Sequence, residues 1–220
     1  VYHVMEDHRG HLWFSTKGNG LVKAERDNSQ PFGFRFTRYL YSDNDPGALS
    51  SNDVYYTLED SRKRIWVALF GGGLNLLTDE NGKTFFRNKY NSFRKYPQLG
   101  LYMEVRNLAE DANGRIWVGT SDGLMSFDSN FQHPDQIEFE VYRNDGDKIN
   151  VFDNDVYVLY KDAGDRIWMS VFGGGLYKLL SYDPEKKQPV IQSYGVNQGL
   201  KSDVILSITE DGANHLWLAT

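Results

Sequence analysis

The sequence VRNLAEDANGRIWVGTSDGL, residues 105–124, contains every element of a pattern that recurs along this chain. An apolar run leads into a turn that carries Asp111 and Gly114, and a second apolar run follows around Trp117. The carboxylate of an Asp in such a turn can accept hydrogen bonds from backbone N–H groups a residue or two ahead and hold the turn closed. The segment therefore predicts two antiparallel strands joined by a tight turn.

The same frame occurs five times, at intervals of about 50 residues. Every tryptophan occupies one position in it, with an Asp six residues before and a small residue two residues after. The tryptophans are Trp13, Trp66, Trp117, Trp168 and Trp217, and the aspartates are Asp7, Asp60, Asp111, Asp162 and Asp211. A catalytic residue is needed once, whereas these two recur in every copy. We therefore expect both to be structural, with the indole filling space between closely packed sheets.

Each complete copy divides into four short strands. The first opens at a β-branched residue, the second carries the Trp, the third begins at a Gly-Leu pair and the fourth carries a Tyr. The pairs are Gly20-Leu21, Gly73-Leu74, Gly123-Leu124 and Gly175-Leu176, and the tyrosines are Tyr39, Tyr90, Tyr142 and Tyr194. Four strands per copy, without helical periodicity, predict an all-β fold of four-stranded antiparallel β-propeller blades. A stacked β-solenoid is the alternative, and its much shorter coils disfavour it.

The repeat boundaries predict one β-propeller fragment over residues 1–220. Blade units would start near residues 1, 54, 105 and 156, and a partial unit would start at 205. The chain opens on a first strand and stops on a second strand, so we expect an incomplete propeller of four blades plus a hairpin. Exposed strand edges in such an excerpt of a longer propeller would invite association.

Composition excludes several classes of function. The net charge is -6 and no Lys/Arg cluster is present, which disfavours a nucleic-acid partner or an anionic membrane surface. The absence of Cys removes thiol catalysis and thiolate metal sites. No stretch is long and apolar enough for membrane insertion, so any targeting signal is expected outside this sequence. No cofactor motif is present either: the Gly-rich loops at 71–73 and 173–175 lack the helix and the Lys-Ser/Thr of a phosphate-binding loop.

The frame Val-x-x-x-x-Glu-Asp-x-x-Gly-x-Ile-Trp-Val-Gly-Thr-x-x-Gly-Leu resembles the two-component regulator propeller repeat. Residues 105–124 match it almost residue for residue, while Lys161 replaces the Glu in the fourth copy. The resemblance implies the periplasmic sensor region of a gut-bacterial hybrid two-component receptor, with kinase activity elsewhere in the receptor. It also implies an oligosaccharide ligand, the remainder of the receptor propeller as a partner and, as a further option, a homodimer.

Strand order places the loops after the second strands and the long fourth-to-first connections on one face, opposite the Asp turns. Variable loops on a repeated scaffold are where specificity resides. Aromatic rings beside carboxylates, amides and an Arg suit sugars, which present apolar C–H faces and many hydroxyls. The alternative is that the aromatics are inter-blade core and the acids cap turns. The candidate ligand-binding residues are Asn52, Asp53, Tyr55, Phe70, Tyr102, Glu104, Arg106, Asp122, Asn154, Asp155, Tyr157, Phe172 and Asp203.

Metal binding and catalysis are weaker hypotheses. Clustered oxygens could hold calcium at Asp43 and Asp45, and His8 and His11 could belong to a zinc site. A second possible calcium group is Asp145, Asp147, Asp153 and Asp155. The turn resembles the Asp-box of sialidases only faintly, because the spacing differs and the Ser is missing. A glycosidase or lyase and a protein-interaction scaffold stay open as alternatives, and no catalytic residue is singled out.

Overall fold

The computed structural model describes residues 1–98, 101–142 and 155–220. The protein is 50% strand and 3% helix, which confirms the all-β prediction. Of the candidate residues, Asn154 lies outside the described residues, as do Asp145, Asp147 and Asp153 of the possible calcium group.

Four sheets have four strands each, and a fifth sheet is a hairpin. The first blade contains β1 (His3–Glu6), β2 (Leu12–Ser15), β3 (Leu21–Arg26) and β4 (Phe34–Tyr39). The second contains β5 (Val54–Glu59), β6 (Ile65–Leu69), β7 (Gly73–Glu80) and β8 (Lys83–Arg87). The third contains β9 (Val105–Glu110), β10 (Arg115–Thr120), β11 (Gly123–Asp128) and β12 (Glu140–Tyr142). The fourth contains β13 (Val156–Lys161), β14 (Ile167–Val171), β15 (Gly175–Asp183) and β16 (Gln188–Tyr194). The hairpin is formed by β17 (Ser207–Glu210) and β18 (Leu216–Ala219).

Strands that follow one another along the chain are neighbours in each sheet, in the up-and-down order of a propeller blade. The chain forms two compact units. Unit 1 contains Val1–Tyr96, Met103–Val105 and Phe131–Ile137, and therefore the first and second blades. Unit 2 contains Pro97–Tyr102, Arg106–Asn130 and Glu138–Thr220, and therefore most of the third blade, the fourth blade and the hairpin.

The repeated Asp uses its two carboxylate oxygens for different purposes. In the third blade, Oδ1 of Asp111 accepts backbone N–H groups of Asn113 at 2.9 Å and Arg115 at 3.0 Å, which close the turn. Oδ2 accepts the indole N–H of Trp117 at 2.9 Å. The same arrangement is present in all five copies, with indole bonds between 2.7 and 2.9 Å. The predicted structural role is thus confirmed, and the indole bond is an addition to it.

These bonds lower the pKa of several of the aspartates. Burial alone would raise the pKa of Asp7, but hydrogen bonds from the Trp13 indole and from His11 outweigh burial, and the pKa lies below its ordinary value. In the exposed hairpin, the backbone N–H of His215 and the Trp217 indole lower the pKa of Asp211 to about 2. In these two turns the hydrogen bonds therefore favour the ionised carboxylate.

A basic side chain two residues before the Trp completes most of the turns. Nε of Arg64 donates to Asp60 at 2.7 Å, and Nε of Arg166 donates to Asp162 at 2.5 Å. The histidines at this position lie 3.0 and 3.1 Å from their aspartates. In the third blade, Arg115 instead donates to Glu140 at 2.8 Å.

The core of unit 1 lies between the facing sheets of the first two blades. Trp13 is 4% exposed and stacks on Tyr39 with 6.1 Å between ring centroids. The edge of Tyr39 meets Phe86 of the second blade at 5.5 Å. The small residue after the Trp allows close approach, as expected: Oγ of Ser15 lies 2.9 Å from Oγ1 of Thr57.

The same packing is present in unit 2. Trp117 is fully buried against Tyr142 and Tyr182, at centroid distances of 6.0 and 6.2 Å. A Cβ added at Gly119 would lie 3.0 Å from the carbonyl oxygen of Val156, so the fourth blade leaves no room for a side chain there. The predicted close approach of neighbouring sheets is therefore confirmed at Gly119.

One strand assignment from the sequence is wrong. Tyr39, Tyr142 and Tyr194 end the fourth strands as predicted, but β8 ends at Arg87, and Tyr90 lies beyond it with 70% of its surface exposed. The ring beside Trp66 is instead that of Phe93, with 6.3 Å between centroids. The segment after β8 therefore places the ring of Phe93 against the indole of Trp66 without extending the sheet.

Trp117→Ala should lower the free energy of unfolding by about 3–5 kcal/mol, because the substitution leaves a large cavity and removes the buried partner of Asp111. Trp217→Ala is the matched control, since that indole makes the same bond to Asp but is 62% exposed. It should change stability by less than about 1 kcal/mol. Urea denaturation measures both, and equal losses in the two variants would contradict the assigned role of burial.

His3 should make the stability of unit 1 depend on pH. Its ring stacks on Tyr56 with 3.8 Å between centroids, and burial lowers the pKa of His3 to about 4 from an ordinary 6.5. The unfolded chain therefore takes up a proton near pH 6.5 while the folded chain does not. Stability is unaffected above that pH and falls as the pH drops toward 4.

The melting temperature should fall between pH 7.5 and pH 5 in the wild type and fall less in His3→Gln. The carboxylates of Asp7 and Asp162 do not act in this window, since their pKa values lie below an ordinary 3.8. A variant with the same pH slope as the wild type would show that His3 is not the responsible group.

Candidate functional site

In unit 1, three aromatic rings form a row at the start of the first strands. Tyr55, the second residue of β5, stacks on Phe70 with 5.3 Å between centroids and an interplanar angle of 23°. Tyr55 also contacts Tyr2, with 4.5 Å between centroids and an interplanar angle of 33°. Half of the surface of Tyr2 is exposed, so the row presents a ring to solvent.

The polar candidates beside this row brace loops. Oδ1 of Asp53 accepts the backbone N–H of Gly18 at 2.8 Å, and Oδ1 of Asn52 accepts the backbone N–H of Tyr41 at 2.8 Å. Glu104 pairs with Phe70 through an isolated antiparallel bridge. The structure thus places Asn52, Asp53, Tyr55, Phe70 and Glu104 in the same part of unit 1, where the carboxylate of Asp53 and the amide of Asn52 hold the loop backbone.

Unit 2 contains a second cluster at matching repeat positions. Nε and Nη2 of Arg106 donate to the two oxygens of Asp155 at 2.9 and 3.3 Å, a bidentate pair. The same guanidinium lies over the ring of Tyr157, at 5.1 Å from its centroid. Tyr157 meets Phe172 at 6.3 Å, and half of the Phe172 surface is exposed.

Tyr102, Asp122 and Asp203 are the remaining candidates in unit 2. Tyr102 is only 4% exposed and offers little surface to a ligand. Asp122 accepts the backbone N–H of Leu101 at 3.3 Å, and Asp203 accepts that of Val196 at 3.0 Å. These two acids brace connections, as the alternative interpretation of the sequence held.

The two clusters offer aromatic ring faces together with hydrogen-bonding groups. Each combines exposed and half-buried aromatic rings with carboxylate oxygens, and the second adds a guanidinium with five N–H donors. Exposed ring faces can pack on the apolar C–H face of a sugar, and the polar groups can meet its hydroxyls. Because Arg106 is already bound by Asp155, its position is fixed before any ligand arrives.

Two of the metal hypotheses, at Asp43 and Asp45 and at His8 and His11, fall within the described residues. Within residues 1–98, 101–142 and 155–220, no three His, Asp or Glu side chains come together in a way that could hold an ion. His8 contacts Glu59, and His11 lies 3.0 Å from Asp7. Nζ of Lys83 lies 2.9 Å from Oδ2 of Asp45, so an ammonium group already engages this carboxylate.

Sequence reasoning missed Tyr2 as a member of the row in unit 1. The signal was present, because Tyr2, Tyr55 and Tyr157 each follow the β-branched residue that opens a copy. Arg106 occupies the same position in the third copy. The position next to the opening Val is therefore where the repeat presents its aromatic and cationic side chains.

Comparison with known proteins supports the propeller fold. Residues 100–122 match the family model for the two component regulator propeller. Histidine kinase P4 of Formosa agariphila is 30% identical over 202 residues, which cover 88% of this chain and 14% of that protein. The extracellular domain assigned to a hybrid two component system of B. thetaiotaomicron superposes with a TM-score of 0.66 at 26% identity, over all of this chain and 25% of that one. Virginiamycin B lyase of Staphylococcus aureus superposes at 0.63 with 12% identity, over 99% of this chain and 62% of the lyase, a likeness of fold alone.

The repeated four-stranded antiparallel sheets define this chain as a run of β-propeller blades. The repeat at residues 100–122 matches the two-component regulator propeller, as the resemblance of the sequence implied. The chain spans 14% of the kinase and 25% of the extracellular domain, well under a third of either relative. Within the described residues, no helix is long and apolar enough to cross a membrane.

Proposed function

We propose that this chain is part of the ligand-sensing, extracytoplasmic region of a hybrid two-component receptor and that it contributes to recognition of an oligosaccharide. The observation that carries the proposal is the pair of aromatic and charged clusters, one around Tyr55 and one around Tyr157, on a scaffold similar to an extracellular receptor domain. In a bacterium with two membranes, the periplasm is the corresponding compartment.

Repetition gives each unit an aromatic surface of its own. The two clusters are built at the same repeat positions, so each unit can present ring faces to a sugar residue. They differ in charge, because the cluster in unit 2 contains the Arg106–Asp155 pair while the row in unit 1 contains Asp53. Surfaces that differ in this way would favour different sugar residues.

A non-enzymatic role follows from the same site. The two acids whose described bonds are best defined, Asp53 and Asp155, are engaged by a backbone N–H and by a guanidinium. Such carboxylates position structure, whereas a glycosidase needs one carboxyl that is free to give a proton. Any phosphotransfer by the intact receptor would then take place in other domains.

Exposed faces of the terminal repeats support further propeller blades as partners. Val4 of the first blade is 50% exposed, whereas the residue at its repeat position in the second blade, Thr57, is 1% exposed beneath a neighbouring sheet. Trp217 in the hairpin is 62% exposed, although Trp117 is fully buried. Blades of the same receptor would cover these surfaces in the way that blades cover each other inside each unit. A mass in solution that rises with protein concentration would instead favour a second copy of the chain.

Oligosaccharides that bind the folded chain should raise its melting temperature, because they stabilise the native state alone. Phe172→Ala should reduce the shift by removing an exposed ring from the cluster in unit 2. Val190→Ala, which also truncates a half-exposed apolar residue of the fourth blade, is the matched control and should leave the shift unchanged. Differential scanning fluorimetry against pools of plant and host oligosaccharides measures both. No shift with any pool, or turnover of a chromogenic glycoside, would contradict the proposal.

A further inference from the structure

Unit 1 has a pocket of about 390 Å³ between the connection from β4 to β5 and the segment after β8, and neither Tyr55 nor Phe70 lines it. The volume lies in the range of about 300–1,000 Å³ that is common for small-molecule sites. The floor is buried, with Leu49 1% and Asn88 2% exposed. The side-chain amide of Asn88 is used within the protein, since Nδ2 donates to the carbonyl of Phe86 and Oδ1 accepts the N–H of Tyr90.

Two tyrosines form the exposed sides of the pocket. Tyr41 is 46% exposed and Tyr90 is 70% exposed, and both line the pocket. In the second blade, β8 ends at Arg87, and Tyr90 lies outside the strand. The ring of Tyr90 can therefore line the pocket. Large exposed aromatic rings at the rim of a pocket are suited to stacking on an apolar ligand face.

The loop that supplies Tyr41 is held firmly against the second blade. The carbonyl of Gly47 accepts the N–H of Phe86 at 2.8 Å, and the carbonyl of Pro46 accepts Nδ2 of Asn91 at 2.8 Å. A Cβ added at Gly47 would lie 2.5 Å from the ring of Phe85, so the backbone rests directly on that ring. A pocket built in this way is formed before a ligand binds, which reduces the entropy that binding must overcome.

The charges at the rim favour an uncharged ligand. The described residues that line the pocket include Asp43 and Asp45 but no Lys, Arg or His. Outside the lining, Lys83 is paired with Asp45, and Nζ of Lys89 lies 5.1 Å from the centroid of the Tyr90 ring. Asp43 accepts the hydroxyl of Tyr41, a bond that raises the pKa of Tyr41. Sulfate or carboxylate groups of a ligand would be repelled by Asp43 inside the pocket, while sugar hydroxyls could donate to its carboxylate.

We infer that the pocket between Tyr41 and Tyr90 is a separate subsite for an uncharged sugar residue, with Tyr90 as the stacking platform and Asp43 as the acceptor for hydroxyl groups. The inference rests on the proposed oligosaccharide recognition. It adds a binding position outside the two aromatic clusters and a preference for uncharged sugars. Anionic sugars, such as uronates and sulfated hexosamines, should be excluded from this subsite.

Isothermal titration of the chain with cellobiose, maltotriose, xylobiose and mannobiose tests the inference, with a sulfated chondroitin disaccharide as the anionic probe. Tyr90→Ala and Asp43→Asn should each weaken binding of a neutral saccharide by about tenfold. Both side chains are exposed, and the backbone N–H of Tyr90 keeps its bond to Asn88 after substitution. Phe32→Ala is the matched control in the same unit, because that ring is 86% exposed and lines no described pocket.

Each outcome bears on the inference. Loss of binding in Tyr90→Ala and Asp43→Asn but not in Phe32→Ala supports the subsite. Binding that survives in Tyr90→Ala and is lost in Phe172→Ala overturns the subsite and leaves the proposed function in place. Tighter binding of the chondroitin disaccharide than of every neutral probe overturns the charge preference. If no saccharide binds, both the subsite and the proposed carbohydrate function fail.

Discussion

The carboxylate that joins a turn to an indole is the interaction on which the rest of this structure depends. One oxygen of each repeated Asp closes the first hairpin of a copy, and the other holds the Trp in a fixed orientation. Because the bond is internal to the hairpin, it forms even where the indole is exposed, as at Trp217. The hairpin is thus completed locally, and the neighbouring sheet adds burial to a side chain that is already in place.

The residues that stabilise the blades are therefore different from the residues that vary between copies. The Asp turns, the indoles and the small residues after them are devoted to the hairpins and to packing between sheets, as at Gly119 against Val156. The opposite ends of the strands are not held by these bonds, and their residues vary from copy to copy. There the position after the opening Val holds Tyr2, Tyr55 or Tyr157 in three copies and Arg106 in another. A repeated scaffold with varied ends is suited to recognising an irregular ligand.

Much of the fold could be predicted from sequence because the same sequence frame occurs five times. The strand order and the turn follow from local chemistry, and the Gly-Leu pairs mark the start of the third strands. The partner of the indole at Trp66 could not be predicted, because Phe93 replaces Tyr90 and Phe131 reaches the same ring from a distant segment at 6.1 Å. The spacing of residues within the repeat carries no information on contacts between residues so far apart in sequence.

The candidate site was predictable only in part for the same reason. Tyr55 and Phe70, or Tyr157 and Phe172, come together because the repeat places them at fixed positions. Tyr102 is a candidate by sequence but is buried, and the pocket at Tyr41 depends on a connection that the repeat does not encode. Bracing bonds such as that from Gly47 to Phe86 give this connection its shape, and they are visible only in three dimensions.

Hydrogen exchange of the five indole N–H groups, followed by NMR, tests the central interaction most directly. If each indole is bound to its Asp and protected by its neighbouring sheet, Trp66 and Trp117, which are fully buried, should exchange most slowly, and Trp217 should exchange fastest. Equal and rapid exchange at all five positions would contradict the account, since the indoles would then be neither bound nor packed between sheets.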